Sequence, residues 1–534
     1  MNKFLVFLGI CFCLLSANAQ FTHADSLRGG YGFARKNWDA LHYELEVTFD
    51  IGNKHIAGSN QITFRYDYTA DEYGKDEMQI DLQTPMVLDS IIHEGKKMAI
   101  RKDGNAYFFE PKVSSGIQTA TIYFHGSPHP AKLAPWDGGI VWAKDDNNKD
   151  WISIACQGIG ASVWYPCKDS QVDEPDSARM HYTVPKELAA VGNGRFVSEK
   201  KVGDDQKTYT WEVSNPINSY NIIPYIGNYT LEQEFLEGEL GFLDVEYWVL
   251  KQHVDIAKNH FTEIVPKTLN AFEYWFGPYP FYEDKYKLVE APFLGMEHQS
   301  AIAYGNGFKN GYLGTDLSET GEGLKWDFIV VHESGHEWFG NSITSKDVAD
   351  MWIHESFTNY SEVLFMEYNF SKEEADRYCI GLRNKIENDI PIIGAYGVQN
   401  EGSGDMYYKG SNMLHTIRTL LGNDSLFREM LREMNEEFYH KTVTTKEIEN
   451  FMATALKMEL SPIFDQYLRS KNPPTLQVKA KKGKLKFRWI KVNKNFAMPI
   501  LFGKVQFACS QKWSKWVPEK SKKDLNPNLY YLVK

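Results

Sequence analysis

Alternation of apolar and polar residues dominates the chain from about residue 39 to residue 229. Between Leu41 and Asp50 every second residue is apolar, which is the period of a strand with one buried face. Further strand-like runs follow, separated by turn residues such as Asp103-Gly104 at a predicted hairpin. We therefore predict an all-β domain of roughly two hundred residues in this half of the chain.

A helical pattern replaces the alternation from about residue 248 onward. The run 260–276 is amphipathic and ends at Gly277-Pro278, where a helix cannot continue. Short strand-like runs at 286–289 and 294–303 follow, so this part is predicted as α+β that becomes helical. Later helix starts are predicted from the capping-box patterns Ser371-x-x-Glu374 and Thr444-x-x-Glu447.

Two histidines stand at helical spacing in the segment H-E-S-G-H. A helix turns once per about 3.6 residues, so His332 and His336 project from one face and can reach one metal ion. Zinc in a hydrolytic site takes three protein ligands and keeps one position open, so a third donor is required. Glu355, early in a second helical run, is the predicted third ligand, and Gly340 is the predicted stop between the helices. The alternative is a histidine pair that binds no metal. The buried polar side chains of this helix would then lack a bonding partner.

This pattern resembles the aminopeptidase N family of zinc peptidases, which includes leukotriene hydrolase: H-E-x-x-H, eighteen residues, then a glutamate. The resemblance covers about residues 38 to 468, through the segments CQGIGASVWYPCKD, FLGMEH and MYYKG. It implies one Zn²⁺ per chain, bound by His332, His336 and Glu355. The implied fold is multidomain α+β, with an N-terminal all-β saddle-like domain, a thermolysin-like catalytic domain and, in this chain, a short C-terminal β module.

The resemblance also implies the roles of individual side chains. Glu333 is the implied general base, which takes a proton from water and delivers it to the leaving amine. Tyr407 begins Y-Y-K-G where the family has Y-E-K-G, and it is the implied donor to the transition-state oxygen, with Tyr408 as the alternative. The implied substrate-binding residues are Glu297 and Gln157 for the α-ammonium, and Gly295 and Met296 for the peptide backbone.

Further positions depart from the family pattern, among them Ser356, which follows Glu355 where the family usually has glycine. Leu294, Gly295 and His298 replace the glycine, the alanine and the asparagine of G-A-M-E-N, and His354 precedes Glu355 where the family usually has asparagine. His298 is expected to add a group that titrates near pH about 6 to 7 beside the amine site. His354 is not expected to be a metal ligand, because the spacing favours Glu355.

Three functions fit these features. The leading one is an aminopeptidase acting on peptides with a free N-terminus; the second is a thermolysin-type zinc endopeptidase, and the third is a non-catalytic peptide-binding envelope protein. The formal net charge of −12 argues against a nucleic-acid partner, because phosphate backbones attract basic surfaces.

The first nineteen residues have the pattern of a secretory signal peptide. A lysine, an apolar run and the small-residue cleavage site Ala17-Asn18-Ala19 follow one another. The apolar run is too short to span a bilayer, and no later segment is long and apolar enough. The mature protein is therefore predicted to be periplasmic or secreted, where Cys156 and Cys167 are a candidate disulfide pair, with two buried thiols as the alternative.

The end of the chain is strongly basic. Residues 471–534 hold 16 lysines and arginines against 2 acidic residues. We interpret this part as a short C-terminal β module whose lysines discourage edge pairing, with contact to an anionic envelope surface as the alternative. The predicted domains are 1–19 (signal peptide), 20–247 (N-terminal β domain), 248–470 (thermolysin-like catalytic domain) and 471–534 (basic C-terminal β module).

Overall fold

The computed structural model describes residues 21–67, 77–111, 115–502, 505–518 and 532–533. The predicted signal peptide lies outside these residues. Among the helices of the described ranges, none combines the length and apolarity that crossing a bilayer requires.

Strands build the first unit, which two short helices precede. The largest sheet has the strand order β13-β14-β11-β1-β2-β8-β4-β5, and smaller sheets have the orders β12-β15-β10-β9 and β3-β7-β6. The elements are α1 (His23–Gly29), α2 (Phe33–Lys36), β1 (Trp38–Asp50), β2 (His55–Asp67), β3 (Met78–Asp81), β4 (Val87–His93), β5 (Lys96–Lys97), β6 (Arg101–Asp103), β7 (Ala106–Phe109), β8 (Ser115–Gly126), β9 (Gly139–Lys144), β10 (Asp150–Ala155), β11 (Ser177–Pro185), β12 (Ala189–Val191), β13 (Arg195–Val202), β14 (Gln206–Val213) and β15 (Tyr225–Gly227).

The predicted alternation appears in β1, with one exception at its start. Tyr43, Leu45 and Val47 are buried, as expected for one face of a strand. Leu41 is only half-buried, because a bulge shifts the register against β2 between Ala40 and His42. The hairpin predicted at Asp103-Gly104 is present between β6 and β7.

The second unit combines a sheet with helices. Its sheet has the order β16-β17-β18-β20-β19. The elements are β16 (Tyr229–Gly238), β17 (Gly241–Leu250), α3 (Val254–Phe276), β18 (Tyr286–Glu290), β19 (Gly295–Met296), β20 (Ile302–Tyr304), α4 (Phe328–Gly335), β21 (Ile343–Ser345), α5 (Trp352–Asn369), α6 (Lys372–Gly381), α7 (Tyr408–Leu421), α8 (Asp424–Glu437), β22 (Lys441–Val443), α9 (Thr445–Leu456) and α10 (Ser461–Leu468).

The sheet of the second unit lies between two hydrophobic cores. Along β18, Leu288 packs into the core shared with the helices, whereas Val289 packs into the core of the first unit. The two faces of one strand therefore join the units. Because β17 pairs in parallel with β18, the hairpin β16–β17 belongs to this sheet, and the predicted border at residue 247 falls inside β17.

Helix ends follow the predicted signals. α3 ends at Phe276, and Gly277 follows at a φ of 96°. Thr444 and Glu447 form the predicted capping box at the start of α9, and the Ser371 side chain accepts a hydrogen bond from Glu374 N at the start of α6.

Strands also form the basic C-terminal module. Its residues Phe487 and Trp489 are buried in the core of the catalytic unit, so one face of the module packs on the helices. Lysines on the other side lie over aromatic rings: Lys479 and Lys486 are 4.7 Å and 4.8 Å from the ring centroid of Trp513. The described strands are β23 (Thr475–Lys481), β24 (Lys484–Ile490), β25 (Ile500–Phe502), β26 (Val505–Phe507) and β27 (Val517–Pro518).

The cysteines of the described ranges are free and buried. Cys156 and Cys167 therefore do not form the candidate disulfide. The Cys156 thiol donates instead to the backbone oxygen of Tyr220, with sulfur and oxygen 3.3 Å apart.

Candidate metal centre and active-site cleft

Helix α4 carries the two histidines into the interior. Its first turn is capped by Asp327, whose carboxylate accepts hydrogen bonds from two backbone amides. His332 lies on the last turn, and His336 follows directly after the last helical residue, Gly335. The helix therefore ends before Gly340, and the expectation that Gly340 stops it is wrong.

Three side chains converge where α4 meets α5. Oε2 of Glu355 lies 3.8 Å from Nε2 of His332 and 3.5 Å from Nε2 of His336. In a tetrahedral zinc site with bonds of about 2.1 Å, ligand atoms lie about 3.4 Å apart. Oε2 of Glu355 is buried and has no hydrogen-bond partner among the residues that the structure describes. A buried carboxylate oxygen requires a partner, and a divalent cation between these atoms fits that requirement.

The opposite ring nitrogens fix how the imidazoles face this point. Nδ1 of His332 donates to Oε1 of Glu362 at 2.7 Å, and Nδ1 of His336 donates to the backbone oxygen of Phe339 at 3.0 Å. Each Nε2 is thereby directed toward Glu355 as a potential lone-pair donor. This arrangement is typical of histidines that bind a metal.

Negative charge around the imidazoles favours a cation. Burial disfavours the imidazolium form, yet the neighbouring carboxylates of Glu355 and Glu362 raise the pKa of His332 well above its ordinary value. For His336, burial again lowers the pKa, but the Glu355 charge outweighs it and raises the pKa to about 9. The pKa of Glu355 is lowered, because the two histidines outweigh the effect of burial. The field that stabilises a protonated imidazole also stabilises a divalent cation.

Glu362 is a supporting residue that the sequence interpretation did not assign. Its carboxylate accepts hydrogen bonds from Asn359 Nδ2 at 2.8 Å and from the Tyr378 hydroxyl at 2.6 Å, besides the one from His332.

Removing this carboxylate in Glu362→Ala is expected to weaken zinc binding roughly ten- to a hundred-fold, because His332 loses the acceptor that orients it. Competition with a chromophoric chelator measures the zinc affinity of the variant and of the wild-type protein. An unchanged affinity, equal to that of the surface control Glu373→Ala, would contradict the role of Glu362.

These groups open on a cavity of about 400 Å³. All nine residues predicted for the site line it, and apolar side chains surround them. The predicted residues are His332, His336, Glu355, Glu333, Tyr407, Glu297, Gln157, Gly295 and Met296, and their neighbours include Leu294, Tyr312, Leu317, Phe328, Ile329 and Tyr408.

Glu333 lies beside the histidines with room around its carboxylate. Burial raises its pKa to about 7, although His332 and His336 act in the opposite direction. A Cβ at Gly295 would lie 2.7 Å from Oε1 of Glu333, so the glycine leaves this oxygen accessible. A carboxylate with a pKa near neutrality can take up and release a proton.

Glu297 follows the edge strand β19. Its carboxylate is 3% exposed, and it accepts hydrogen bonds from Gln157 Nε2 and, at 3.0 Å, from the Tyr220 hydroxyl. Burial raises its pKa above the ordinary value. Oxygens of Glu297 and Glu333 and a ring nitrogen of His336 all lie within 4.8 Å of one another. Tyr220 could not be predicted as a partner of Glu297, because it lies far from Glu297 along the chain.

Tyr407 stands immediately before α7, above His332. The ring centroids of the two residues are 6.2 Å apart. Burial raises the pKa of Tyr407, as does the nearby Glu355, so its phenol stays protonated and able to donate. Ser356 on α5 donates to the backbone oxygen of Met406 at 2.7 Å, which fixes this segment against the metal-site helix.

Two of the departures are structural histidines. His298 is fully buried against the Tyr225 hydroxyl at 2.6 Å, and burial lowers its pKa to about 3. The expectation that His298 titrates near neutrality is therefore wrong. His354 accepts from Ser345 N at 2.8 Å, and burial lowers its pKa to about 3. It holds the turn before α5 and leaves Glu355 to face the two histidines.

Known proteins are similar to this chain in sequence. Residues 261–467 match the peptidase family M1 domain. Aminopeptidase N of Lactobacillus helveticus is 24% identical over 470 residues, which are 83% of this chain and 52% of that protein. Leukotriene A-4 hydrolase of Xenopus laevis is 26% identical over 464 residues, which are 79% of this chain and 69% of that protein. The chain thus spans about half the length of the first of these relatives.

The fold agrees as well. An M1 zinc metallopeptidase from Deinococcus radiodurans superposes with a TM-score of 0.66 at 18% identity, over 82% of this chain and 95% of that chain. The family domain includes α4, α5 and the segment with Tyr407. Residues 261–467 are therefore a peptidase family M1 domain, and the fold of the chain is similar to that of an M1 zinc metallopeptidase.

Proposed function

We propose that this protein is an exported zinc aminopeptidase that removes residues one at a time from the free N-terminus of peptides. The observation that carries the proposal is the closeness of Glu297 to the metal-site groups, with atoms of Glu297, Glu333 and His336 within 4.8 Å of one another. A substrate whose α-ammonium pairs with Glu297 has only its first peptide bond within reach of this centre.

His332, His336 and Glu355 would hold one zinc ion per chain. Bound there, zinc would polarise the scissile carbonyl and would lower the pKa of a water from about 16 toward roughly 7. The open side of the three ligands faces the cavity, where a peptide has space to lie.

Glu333 moves the proton. It takes a proton from the attacking water and later delivers it to the nitrogen of the leaving amine. Burial favours the protonated form of this carboxyl, which helps it to hold the proton until the amine leaves. Gly295 keeps the space beside its oxygen free.

Tyr407 stabilises the oxygen on which negative charge develops. Its protonated phenol donates a hydrogen bond that strengthens as the carbonyl carbon becomes tetrahedral. Gly295 and Met296 form an edge strand that, within the described residues, pairs with β20 alone, and its other side offers backbone groups to an extended peptide.

Selectivity for a free N-terminus rests on Glu297 and Gln157. Glu297→Gln is expected to lower kcat/KM on free-amine peptides roughly ten- to a hundred-fold, because the charge that pairs with the ammonium is lost. The glutamine keeps the shape of the side chain and an oxygen that accepts from Gln157. Aminoacyl fluorophores and their N-acetylated counterparts, assayed in parallel, measure the effect.

The same assay separates the candidate functions. The wild-type enzyme is expected to leave N-acetylated substrates uncut. Cleavage of free and blocked substrates at equal rates would identify a thermolysin-type endopeptidase instead. No cleavage of either class by zinc-loaded protein would favour a peptide-binding protein.

Export rests on the pattern of the first nineteen residues. N-terminal sequencing of the protein from cells that produce it is expected to begin at Gln20. A mature chain beginning at Met1 would contradict export by this signal. Contact of the basic module with an anionic envelope surface stays a separate prediction.

A further inference from the structure

Glu401 is a carboxylate in the cleft that the mechanism above does not use. It lines the same cavity as the catalytic groups and is half-buried. Within the described ranges its side chain forms neither a hydrogen bond nor an ion pair. A carboxylate removed partly from water without a partner is unfavourable unless a ligand supplies one.

Glu401 lies on the amine side of the cleft. A Cβ at Gly158 would lie 3.1 Å from Oε1 of Glu401, so this oxygen sits directly over the Gly158 backbone. The preceding residue, Gln157, donates to Glu297. The first side chain of a substrate branches from the carbon that bears the α-ammonium, so it extends from the Glu297–Gln157 pair toward this wall.

The loop that carries Glu401 is held firmly in place. Gln399 Nε2 donates to the backbone oxygen of Gly158 at 2.8 Å, and the Asn400 side chain accepts from Ala395 N at 2.8 Å. A Cβ at Gly402 would lie 2.0 Å from the backbone oxygen of Ile392, which shows how closely the loop folds on itself. The carboxylate is therefore presented to the cavity by a fixed backbone.

No basic side chain of the described residues forms an ion pair with Glu401 at this wall. Burial raises the pKa of Glu401 and the charge of Arg28 acts in the opposite direction, but the Arg28 guanidinium donates its hydrogen bond to the Gly158 backbone oxygen. Glutamates at four positions line the cavity, and no lysine or arginine of the described ranges does. Zinc would offset the charge near Glu355 and the α-ammonium would offset Glu297, whereas Glu401 has the through-space attraction of Arg28 but no ion pair within the described residues.

We infer that Glu401 selects substrates whose first residue is arginine or lysine, by pairing with the cationic end of that side chain. The inference rests on the proposed function, because it takes the α-ammonium to lie at Glu297. Both side chains carry their charge on a long apolar stem, and Met296 offers an apolar surface to that stem.

Substrates that differ mainly in the charge of their first side chain test this inference. Arginyl and citrullyl fluorophores have nearly the same shape, but only arginine is cationic, and a leucyl fluorophore reports general activity. The wild-type enzyme is expected to prefer arginine over citrulline roughly ten- to a hundred-fold in kcat/KM. Glu401→Gln is expected to lose that preference and to keep its citrulline and leucine rates within about three-fold. Glu429→Gln, at an exposed position of α8, is the control and is expected to keep the preference.

Other outcomes would overturn the inference. Equal losses on all three substrates would mean that Glu401 supports the loop or the α-ammonium, and an undiminished arginine preference in Glu401→Gln would assign selectivity elsewhere. Glu401→Asp, which keeps the charge, is expected to keep part of the preference; its loss together with lowered thermal stability would indicate a structural role. Failure of the proposed function is distinguishable, since wild-type protein would then release no fluorophore from any of the three.

Discussion

Glu333→Gln is expected to abolish nearly all hydrolysis while leaving zinc binding intact. Glu333 lies beside His332 but is not among the three groups that converge on one point. Glutamine fills the same space next to Gly295 and cannot accept the proton of water. A positioned general base contributes roughly a hundred- to ten-thousand-fold, so kcat on a free-amine peptide is expected to fall by that factor.

Metal content and fold must be followed in the same samples. Zinc per chain, measured by mass spectrometry of the metal, and the melting temperature are expected to match the wild-type values. Retention of full turnover by Glu333→Gln would show that another group moves the proton. Loss of zinc along with turnover would show that Glu333 contributes to metal binding.

Tyr407→Phe is the second change with a large expected effect. Removing one donor to a developing oxyanion typically costs about 3 to 4 kcal/mol, which is roughly a hundred- to a thousand-fold in kcat. KM is expected to change far less, because the hydrogen bond strengthens mainly in the transition state. The phenylalanine keeps the ring that packs near His332.

Tyr408 supplies a matched control for this experiment. It is the neighbouring residue, lines the same cavity and also has a raised pKa through burial. Tyr408→Phe is expected to change kcat less than about three-fold. If Tyr408→Phe had the large effect and Tyr407→Phe the small one, the donor would be Tyr408, and the motif alignment would be displaced by one residue.

Local patterns in the sequence were sufficient to predict that His332, His336 and Glu355 converge, and to place most elements. Helical spacing brings His332 and His336 to one face, and a glutamate on the next helix has a short path back to them. Capping at Thr444 and the helix end at Phe276 likewise depend on residues adjacent in the chain. Such features need no knowledge of the tertiary fold.

Contacts between segments that are far apart in the chain could not be predicted from the sequence. Tyr220 reaches Glu297 from the first unit, and Glu401 comes from a loop that no motif marks. The pKa of His298 depends on its burial against Tyr225. The position of His298 next to a motif does not reveal that burial. Leu41 is more exposed than the alternation predicts because of a bulge, and the position of that bulge depends on pairing with β2.

The most direct measurement is a zinc titration of the metal-free enzyme with product analysis. Activity on a free-amine peptide is expected to rise linearly with added Zn²⁺ and to stop rising at one equivalent per chain, with products shortened by a single N-terminal residue. Internal cleavage products, or activity that is unaffected by removing and restoring zinc, would contradict a zinc aminopeptidase built on His332, His336 and Glu355.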